Sequence, residues 1–190
     1  MSKAKIVLDV GVGTNRSYAF NPHVPVSSIP IFMDIEEPAE EIRKWDWVIG
    51  DAQFLPFRDS SLDGIVASHV IEHLDDPLLF IEECFRVLKK GGTLEIRCPN
   101  FLSINAKKDP THKHVFDSLR LALLLKKNGF RIHFNYSVGS KLPNLLRKPL
   151  TVLLNLLTEE IHITAIKEHG SSPSRSKSRY ISRKHVLLCI

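Results

Sequence analysis

The chain has 190 residues, of which 43% are hydrophobic and 25% charged, as is usual for a soluble globular protein of one domain. Its formal net charge of +5 is concentrated near the C-terminus. Residues 167–190 contain six Lys or Arg and one acid, and subtracting these from the totals of 26 and 21 leaves 20 of each sign in residues 1–166. The longest nearly apolar stretch, residues 150–157, is too short to cross a bilayer, which needs about 20 residues. We therefore expect a single domain over residues 1–190 without a transmembrane segment.

The cysteines and the N-terminus indicate the cellular compartment. The first residues lead directly into a strand-like segment, so we expect no signal peptide. Cys84, Cys98 and Cys189 are widely spaced and form no CxxC pair, which favours free buried thiols in a reducing environment. Both features predict a cytoplasmic protein.

Apolar runs alternate with helical patterns along the chain, which favours βαβ units and a mostly parallel sheet. This pattern is typical of an α/β, doubly wound fold. The runs that predict strands are Lys5–Val10, Ile31–Ile35, Trp47–Gly50, Gly64–Ser68, Thr93–Cys98, Phe130–Ser137, Ile161–Lys167 and His185–Ile190.

Two segments have the spacing of amphipathic helices. In Pro77–Lys89 apolar residues recur every three or four positions, and proline suits the first turn. Gly91-Gly92 are expected to stop this helix. The second helix is predicted over Val115–Asn128, with Gly129 as a left-handed cap.

The first connection between strands is unusual. The link from Gly13 to Ile31 contains Pro22, Pro25 and Pro30 and shows no amphipathic period. Parallel strands are normally joined through a helix. We expect an irregular link here, with at most one helical turn, which weakens the case for a helix N-terminus that cradles phosphate.

The ends of the first two strands predict a nucleotide-like ligand. Glycine at positions 11 and 13 lets the backbone turn sharply and approach a ligand closely. Asp34, at the tip of the second strand, can accept hydrogen bonds from both hydroxyls of a ribose. A dinucleotide fingerprint would place a third glycine where Arg16 stands, so NAD is disfavoured. A P-loop is excluded because the chain has no GxxxxGK[ST] stretch.

Several further motifs follow in order. They are Gly50-Asp-Ala52, Leu55-Pro-Phe57, Ser61-Leu-Asp-Gly-Ile-Val-Ala-Ser-His69, Ile71-Glu-His-Leu-Asp75, Phe85-Arg-Val-Leu-Lys-Lys-Gly-Gly92 and Cys98-Pro-Asn100. Together with the glycine turn, they closely resemble the class I S-adenosylmethionine-dependent methyltransferases over residues 5–135. The resemblance implies a Rossmann-like, seven-stranded, mostly parallel sheet with the last strand antiparallel. It also implies S-adenosylmethionine as cofactor and methyl transfer to a small-molecule or macromolecular acceptor, which the sequence does not identify.

The resemblance implies a position for each motif residue against the cofactor. Asp9, Gly11 and Gly13 would form the turn against the methionine moiety. Asp9 could instead be an ordinary acid at a strand end. The third glycine of the usual turn is replaced by Asn15, which tolerates positive φ better than most residues.

The remaining cofactor positions lie at the ends of the later strands. The resemblance implies that Asp34 binds the ribose and that Asp51 accepts from the adenine amino group, with the Ala52 backbone beside it. Ser68 and His69 would lie near the sulfonium and the transferable methyl group.

His69, Glu72 and His73 spell H-x-x-E-H, the inverted zinc-protease motif. Two histidines four residues apart suit zinc only if they lie on a helix. This segment follows a strand and soon reaches Asp75-Asp-Pro77, so we disfavour a zinc hydrolase.

A second polar cluster, Asp109-Pro-Thr-His-Lys-His114, folds over the cofactor in the resembled family. The side chains expected to converge on one cleft are His69, His73, Asn100, His112 and His114. We take His69 or His112 as the base that an acceptor would need if it must lose a proton, although methyl transfer depends chiefly on alignment. For any single histidine the alternative is a bond to local backbone. A metal site built from three of them, His69, His73 and His112, is disfavoured, and we predict no metal ligand.

Other functions stay open. The short first link motivates a non-catalytic binding module with a methyltransferase-like fold. The basic segment 170–179 could contact RNA or an anionic surface. The apolar segment 142–157, with Pro149 inside it, could cover the sheet, lie on a membrane interface or pair with a second copy of the chain.

Overall fold

The computed structural model describes residues 4–13, 28–40, 45–103, 106, 108–135 and 144–168. Several predicted features lie outside these residues and are not tested by the fold. They are the irregular first link, Asn15, Cys189, the basic segment 170–179 and the strand His185–Ile190.

Seven strands form one sheet. They are β1 (Lys5–Val10), β2 (Ser28–Asp34), β3 (Trp47–Ile49), β4 (Leu62–Ser68), β5 (Leu88–Pro99), β6 (Phe130–Phe134) and β7 (Glu160–Lys167). Their order across the sheet is β3-β2-β1-β4-β5-β7-β6. The pairs among β1 to β5 are parallel, whereas β7 is antiparallel to both β5 and β6. The predicted fold class, with the last strand antiparallel, is confirmed.

The centre of the sheet is buried on both faces. In β1 the four residues Val7–Val10 are all buried, as expected for a parallel strand that is covered from both sides. Leu8 and Ile65, which are neighbours in register on β1 and β4, are almost fully buried in the main core. Because each fully buried aliphatic side chain contributes about 1.5–3 kcal/mol, this central pair of strands anchors the fold.

Three helices are described: α1 (Pro77–Val87), α2 (Ser118–Lys127) and α3 (Asn144–Leu157). The Asp76 side chain caps α1 by accepting from the N–H of Leu78 at 3.0 Å, and proline occupies the first turn as predicted. Asp117 caps α2 in the same way, accepting from the N–H of Arg120 at 2.9 Å. Gly129 has φ of +87°, so the predicted left-handed cap after α2 is confirmed.

The predicted end of α1 is wrong. The helix ends at Val87, and the extended backbone of Leu88 opens β5, where it pairs with Leu62 of β4. Gly91 and Gly92 therefore lie inside a strand at a register irregularity and do not cap the helix. A Cβ on Gly92 would stand 2.9 Å from the Lys89 carbonyl oxygen, so glycine is needed for this close approach.

The start of β2 also differs from the prediction. The strand begins at Ser28, and Pro30 lies within it opposite Val7 of β1. On the other side of β2, β3 pairs only from Phe32 onward. Proline is accommodated because this part of β2 needs no second ladder of hydrogen bonds.

Helix α3 keeps Pro149 inside it and exposes several leucines, namely Leu150, Leu153, Leu154 and Leu157. Its buried Asn155 faces α2, where the hydroxyl of Ser118 donates to the Asn155 carbonyl at 3.0 Å. None of the described helices is long and apolar enough to cross a membrane.

Candidate functional site

The strand order reverses between β1 and β4, because β2 and β3 lie on one side of β1 and β5 lies beyond β4. In an open α/β sheet, ligands bind in the crevice outside the carboxyl ends of the strands at such a switch point. Every predicted cofactor residue lies in or directly after the carboxyl half of one of the first four strands. The topology therefore brings them to one edge of the sheet.

The glycine turn after β1 has the expected left-handed conformation. Gly11 and Gly13 have φ of +70° and +75°. The Gly11 N–H donates to the Met33 carbonyl at 2.8 Å, which ties the turn to β2. An added Cβ on Gly11 would stand 2.3 Å from Cγ2 of Val70. The backbone thus passes close to the segment after β4, and it has no side chain that would fill the crevice.

Asp34 completes this turn from the end of β2. Its Oδ2 accepts from the Gly13 N–H at 2.8 Å, and its Oδ1 accepts from the Glu36 N–H at 3.2 Å. A carboxylate has about four acceptor positions, so both oxygens can still accept from ribose hydroxyls. The half-buried side chain is held in place before any ligand binds, which fits the predicted role.

Asp51 is held by a local turn. Its Oδ1 accepts from the backbone N–H of Gln53 at 2.8 Å and from the Gln53 amide at 3.1 Å. The Gln53 Oε1 in turn accepts from the N–H of Asp76 at 2.7 Å, which joins this loop to the cap of α1. Gln53 was missed by the sequence analysis, although an acid two residues before it is a signal for an Asx turn. Ala52 beside them is buried.

Asp9 and Ser68 lie on the two strands that flank the switch point. Asp9 is only 2% exposed and is in register with Phe32 of β2 and Val66 of β4. A carboxylate so deep in a sheet is costly unless polar groups compensate it, which favours a specific role over an ordinary turn acid. Ser68 is the last residue of β4 and is half-buried at the edge where the crevice opens.

His69 follows Ser68 with a left-handed backbone, φ +56°. Its Nδ1 lies 3.3 Å from Glu72 Oε1 and its Nε2 lies 3.2 Å from Glu160 Oε1. The contact with Glu72 raises the pKa of His69, aided by Glu160 and opposed by partial burial. Since an imidazolium has no lone pair for a proton, this arrangement suits His69 better to donating or to positioning than to general base catalysis.

The H-x-x-E-H segment does not form a helix. Residues 71–73 form a turn, closed by a bond from the His73 N–H to the Val70 carbonyl at 2.9 Å. His73 Nδ1 faces the Thr111 carbonyl at 3.1 Å, whereas His69 faces Glu160. The two rings therefore do not share a helix face, and the zinc-hydrolase geometry is absent from this segment.

The loop 109–114 is fastened to the same turn. The N–H groups of Lys113 and His114 donate to the Glu72 carbonyl at 2.9 and 3.1 Å. These bonds bring His112 beside His73, with ring centroids 4.8 Å apart. The Asp109 side chain accepts from the N–H and the hydroxyl of Thr111, which closes the loop and lowers the pKa of Asp109.

Only part of the expected histidine cluster forms. His73 and His112 meet, but His114 packs instead near Phe116, with ring centroids 6.1 Å apart. Asn100 is fully buried and does not face a ligand, because its amide donates to three carbonyls at the end of α3. The acceptors are the carbonyl oxygens of Asn155, Leu156 and Thr158, at 3.2, 3.2 and 2.7 Å.

Comparison with known proteins agrees with this geometry. Residues 8–96 match the family model described as a methyltransferase domain. A probable S-adenosylmethionine-dependent methyltransferase of Mycolicibacterium smegmatis is 37% identical over 87 residues, which cover 44% of this chain and 34% of that protein. A demethylmenaquinone methyltransferase of Thermotoga maritima is 32% identical over 95 residues, covering 47% of this chain and 42% of that protein. The chain thus aligns with less than half the length of these relatives.

Solved structures match over more of the chain. A S-adenosylmethionine-dependent methyltransferase from Archaeoglobus fulgidus has a TM-score of 0.64 and 26% identity, covering 86% of both chains. The complex of a methyltransferase with the Haloferax volcanii Trm112 activator also gives 0.64, at 15% identity over 88% of this chain and 84% of that one, and shows the fold alone.

The strand order is that of a Rossmann-like methyltransferase fold, and residues 8–96, which hold the glycine turn, match the methyltransferase-domain model. The chain is related in sequence and in structure to the S-adenosylmethionine-dependent methyltransferases, which confirms the resemblance seen in its motifs.

Proposed function

We propose that this chain binds S-adenosylmethionine and transfers its methyl group to a small-molecule or macromolecular acceptor. The observation that carries the proposal is the bond from Gly13 to Asp34, which fixes a left-handed, side-chain-free turn and a ribose-binding carboxylate against each other. Bound S-adenosylmethionine would supply a methyl carbon already activated by the sulfonium. The chain's task would then be to bind, align and exclude water.

Each part of the edge has a share in this task. The turn at Gly11 and Gly13 would admit the methionine moiety to the backbone, with Asp9 below it. Asp34 would hold the ribose, and Asp51 with the Ala52 backbone would hold the adenine. Ser68 and His69 would border the reacting end of the cleft. The position of each residue at the switch point supports these proposed roles.

A general base is required only if the methyl-accepting substrate must lose a proton. His112 is the better candidate for this role when no metal ion is bound, because its Nδ1 faces the Ala106 carbonyl at 3.3 Å. Nε2 of the neutral ring then carries the lone pair and lies 3.7 Å from Asp109 Oδ2. His69 would then position the reacting group, since its two carboxylate neighbours favour the protonated ring.

Calorimetric titration tests the cofactor. We expect the protein to bind S-adenosylmethionine and S-adenosylhomocysteine with one-to-one stoichiometry, and Asp34→Asn to weaken both at least tenfold. The matched control is Glu36→Gln, an exposed acid two residues further on. The proposal would be contradicted if Asp34→Asn bound the cofactor as tightly as the native chain, or if the folded native chain did not bind it.

The alternative is a non-catalytic binding module. Incubation with cofactor labelled in the methyl group, followed by separation of small molecules, RNA and protein from a cell extract, distinguishes the two. If a fraction becomes labelled with the native chain but not with Asp34→Asn, methyl transfer has occurred, and that fraction gives the class of acceptor. Binding with no transfer to any fraction favours the module.

We also propose a cytoplasmic location and two kinds of partner. Cytoplasmic residence is supported by Cys84 and Cys98, which are buried free thiols.

The exposed leucines of α3 could pair with a second copy of the chain, and Leu153→Glu would then lower the mass measured by sedimentation. Deletion of residues 171–179 should reduce salt-dependent binding if RNA or an anionic surface is recognised there.

A further inference from the structure

We propose that Glu72, His73 and His112 bind one divalent zinc ion next to the carboxyl end of β4. Each residue offers one ligand atom, and these atoms all lie within 4.8 Å of one another. Two imidazoles and one carboxylate form a ligand set that zinc uses in proteins, with a fourth position left for water or another group.

The two segments that carry the ligands are already fastened together. The Glu72 carbonyl accepts from two successive N–H groups of the 109–114 loop, those of Lys113 and His114. An ion pair between Lys113 and Asp75, at 2.6 Å, joins the same segments at the surface. Little backbone ordering would therefore be needed when a metal ion binds, which lowers the entropic cost of binding.

Both histidines are held in the tautomer that a metal requires. His73 Nδ1 faces the Thr111 carbonyl at 3.1 Å, and His112 Nδ1 faces the Ala106 carbonyl at 3.3 Å. Because a carbonyl oxygen can only accept, each Nδ1 must carry the hydrogen, and each Nε2 of a neutral ring then carries a lone pair. Metal-ligating histidines commonly donate their other N–H to a carbonyl in this way.

Glu72 provides an independent indication of a cation. The residue is 1% exposed, and neither carboxylate oxygen has a hydrogen-bond partner among the described residues. His69 Nδ1 lies 3.3 Å from Oε1 and forms an ion pair with it when the imidazole is protonated. Burying a carboxylate without hydrogen bonds is unfavourable unless cationic groups compensate its charge. A zinc ion would add to the compensation that His69 provides at Oε1.

A fourth group stands close to the cluster. Asp109 Oδ2 lies 3.7 Å from His112 Nε2 and is partly exposed. It could complete the coordination or hold the ring through a bridging water. None of the proposed ligands belongs to the turn formed by Gly11, Gly13 and Asp34, so zinc binding and cofactor binding can be measured separately.

Zinc titration of the chelator-treated full chain tests the proposal. We expect one zinc ion per chain by calorimetry and elemental analysis, and a Co²⁺ derivative with the visible absorption of a four-coordinate site with nitrogen and oxygen ligands. Glu72→Gln and His112→Gln should each weaken zinc binding at least tenfold. His114→Gln is the matched control, since it lies in the same loop but packs near Phe116.

The outcomes are distinguishable from a failure of folding or of the methyltransferase proposal. Cooperative urea unfolding shows whether each variant folds. If Glu72→Gln does not fold, His112→Gln still tests the metal site, because His112 lies in a loop. Titration of the native chain with S-adenosylhomocysteine reports on the cofactor site separately from the zinc titration. Zinc binding that is absent from the intact chain, or equal in His112→Gln and His114→Gln, overturns the metal site.

Discussion

The α-carbon of Gly11 faces Val70 so closely that a methyl group at Gly11 would stand 2.3 Å from the valine Cγ2. This relationship joins the turn after β1 to the segment after β4, at the point where the strand order reverses. Packing as well as backbone conformation therefore demands glycine at position 11.

We expect Gly11→Ala to lower the free energy of unfolding by roughly 2–4 kcal/mol, since a left-handed alanine costs about 1–2 kcal/mol and overpacking adds to it. Gly91→Ala is the matched control, because Gly91 also has positive φ, +76°, but no atom lies within 4 Å of an added Cβ. It should show the backbone cost alone. Urea unfolding measures both, and equal losses would contradict a steric role for Val70.

Asn100 fixes the end of α3 to the end of β5. Its fully buried amide donates to three carbonyl oxygens, and its Oδ1 accepts from the Phe101 N–H at 2.8 Å. Asn100→Ala should cost roughly 2–3 kcal/mol because buried acceptors lose their donor. Asn100→Asp should cost more at neutral pH, because a carboxylate would face those carbonyls, and less at acid pH, where protonation restores one donor. A loss independent of pH would contradict this account.

Arg86 holds the Leu55-Pro-Phe57 loop onto α1. Its guanidinium donates to the carbonyls of Leu55 and Phe57 at 2.9 and 2.8 Å, and it pairs with Glu83 and Asp59. We expect Arg86→Ala to destabilise the protein by roughly 2–4 kcal/mol and Arg86→Lys by somewhat less, since an ammonium cannot span the same acceptors.

The matched control for Arg86 is Arg120→Ala. Arg120 also pairs with an acid three residues away, Asp117, but its side chain is 84% exposed. Exposed pairs contribute about 0–1 kcal/mol. Thermal or urea unfolding in which both alanine variants lose the same stability would show that the carbonyl contacts of Arg86 are unimportant.

Asp63, near the start of β4, makes the stability of the protein depend on pH. Burial acts to raise the pKa of Asp63, but bonds from Lys89 at 2.7 Å and from the Ile6 N–H at 2.9 Å outweigh it and lower the pKa below its ordinary value of 3.8. The resulting stabilisation is present above about pH 3.8 and is lost as the pH falls through the lowered pKa.

We expect Asp63→Asn to be less stable than the native chain by about 1 kcal/mol at pH 7, and this difference to shrink below pH 3.8. Lys89→Met should lessen the pH dependence, because it removes the charged partner while the Ile6 bond remains. Stability measured by urea unfolding between pH 7 and the acid range checks the sign. A difference that grows on acidification would refute it.

The central strands were predictable because they are largely buried and mostly apolar. β1 and β4 are short runs of mainly apolar residues between polar turns, and the predicted bounds of β1 agree with the structure. The prediction failed where pairing overrides local preference. β5 begins as early as Leu88 because this residue pairs with Leu62 of β4. Gly92, which was predicted to help stop the helix, instead allows the backbone to approach the Lys89 carbonyl closely.

In the candidate site, too, local features were predictable from the sequence and long-range contacts were not. The left-handed turn at Gly11 and Gly13 and the place of Asp34 beside it could be predicted from the sequence, because they depend on local backbone freedom and on position at a strand end. The partners of the histidines could not. His112 reaches His73 only because the Glu72 carbonyl binds a loop some forty residues further on, and Asn100 turns away from the cleft because α3 ends beside it.

The sequence by itself determined the order of the elements, the class of cofactor site and the chemical types at the ends of the strands. These follow from periodicity, glycine conformation and side-chain chemistry, which act over a few residues. Only the tertiary structure decided which polar groups meet. Long-range contacts placed Glu72 in a buried position with ligand atoms of His73 and His112 within 4.8 Å, and burial changes the energy of a carboxylate by more than local conformational preferences do.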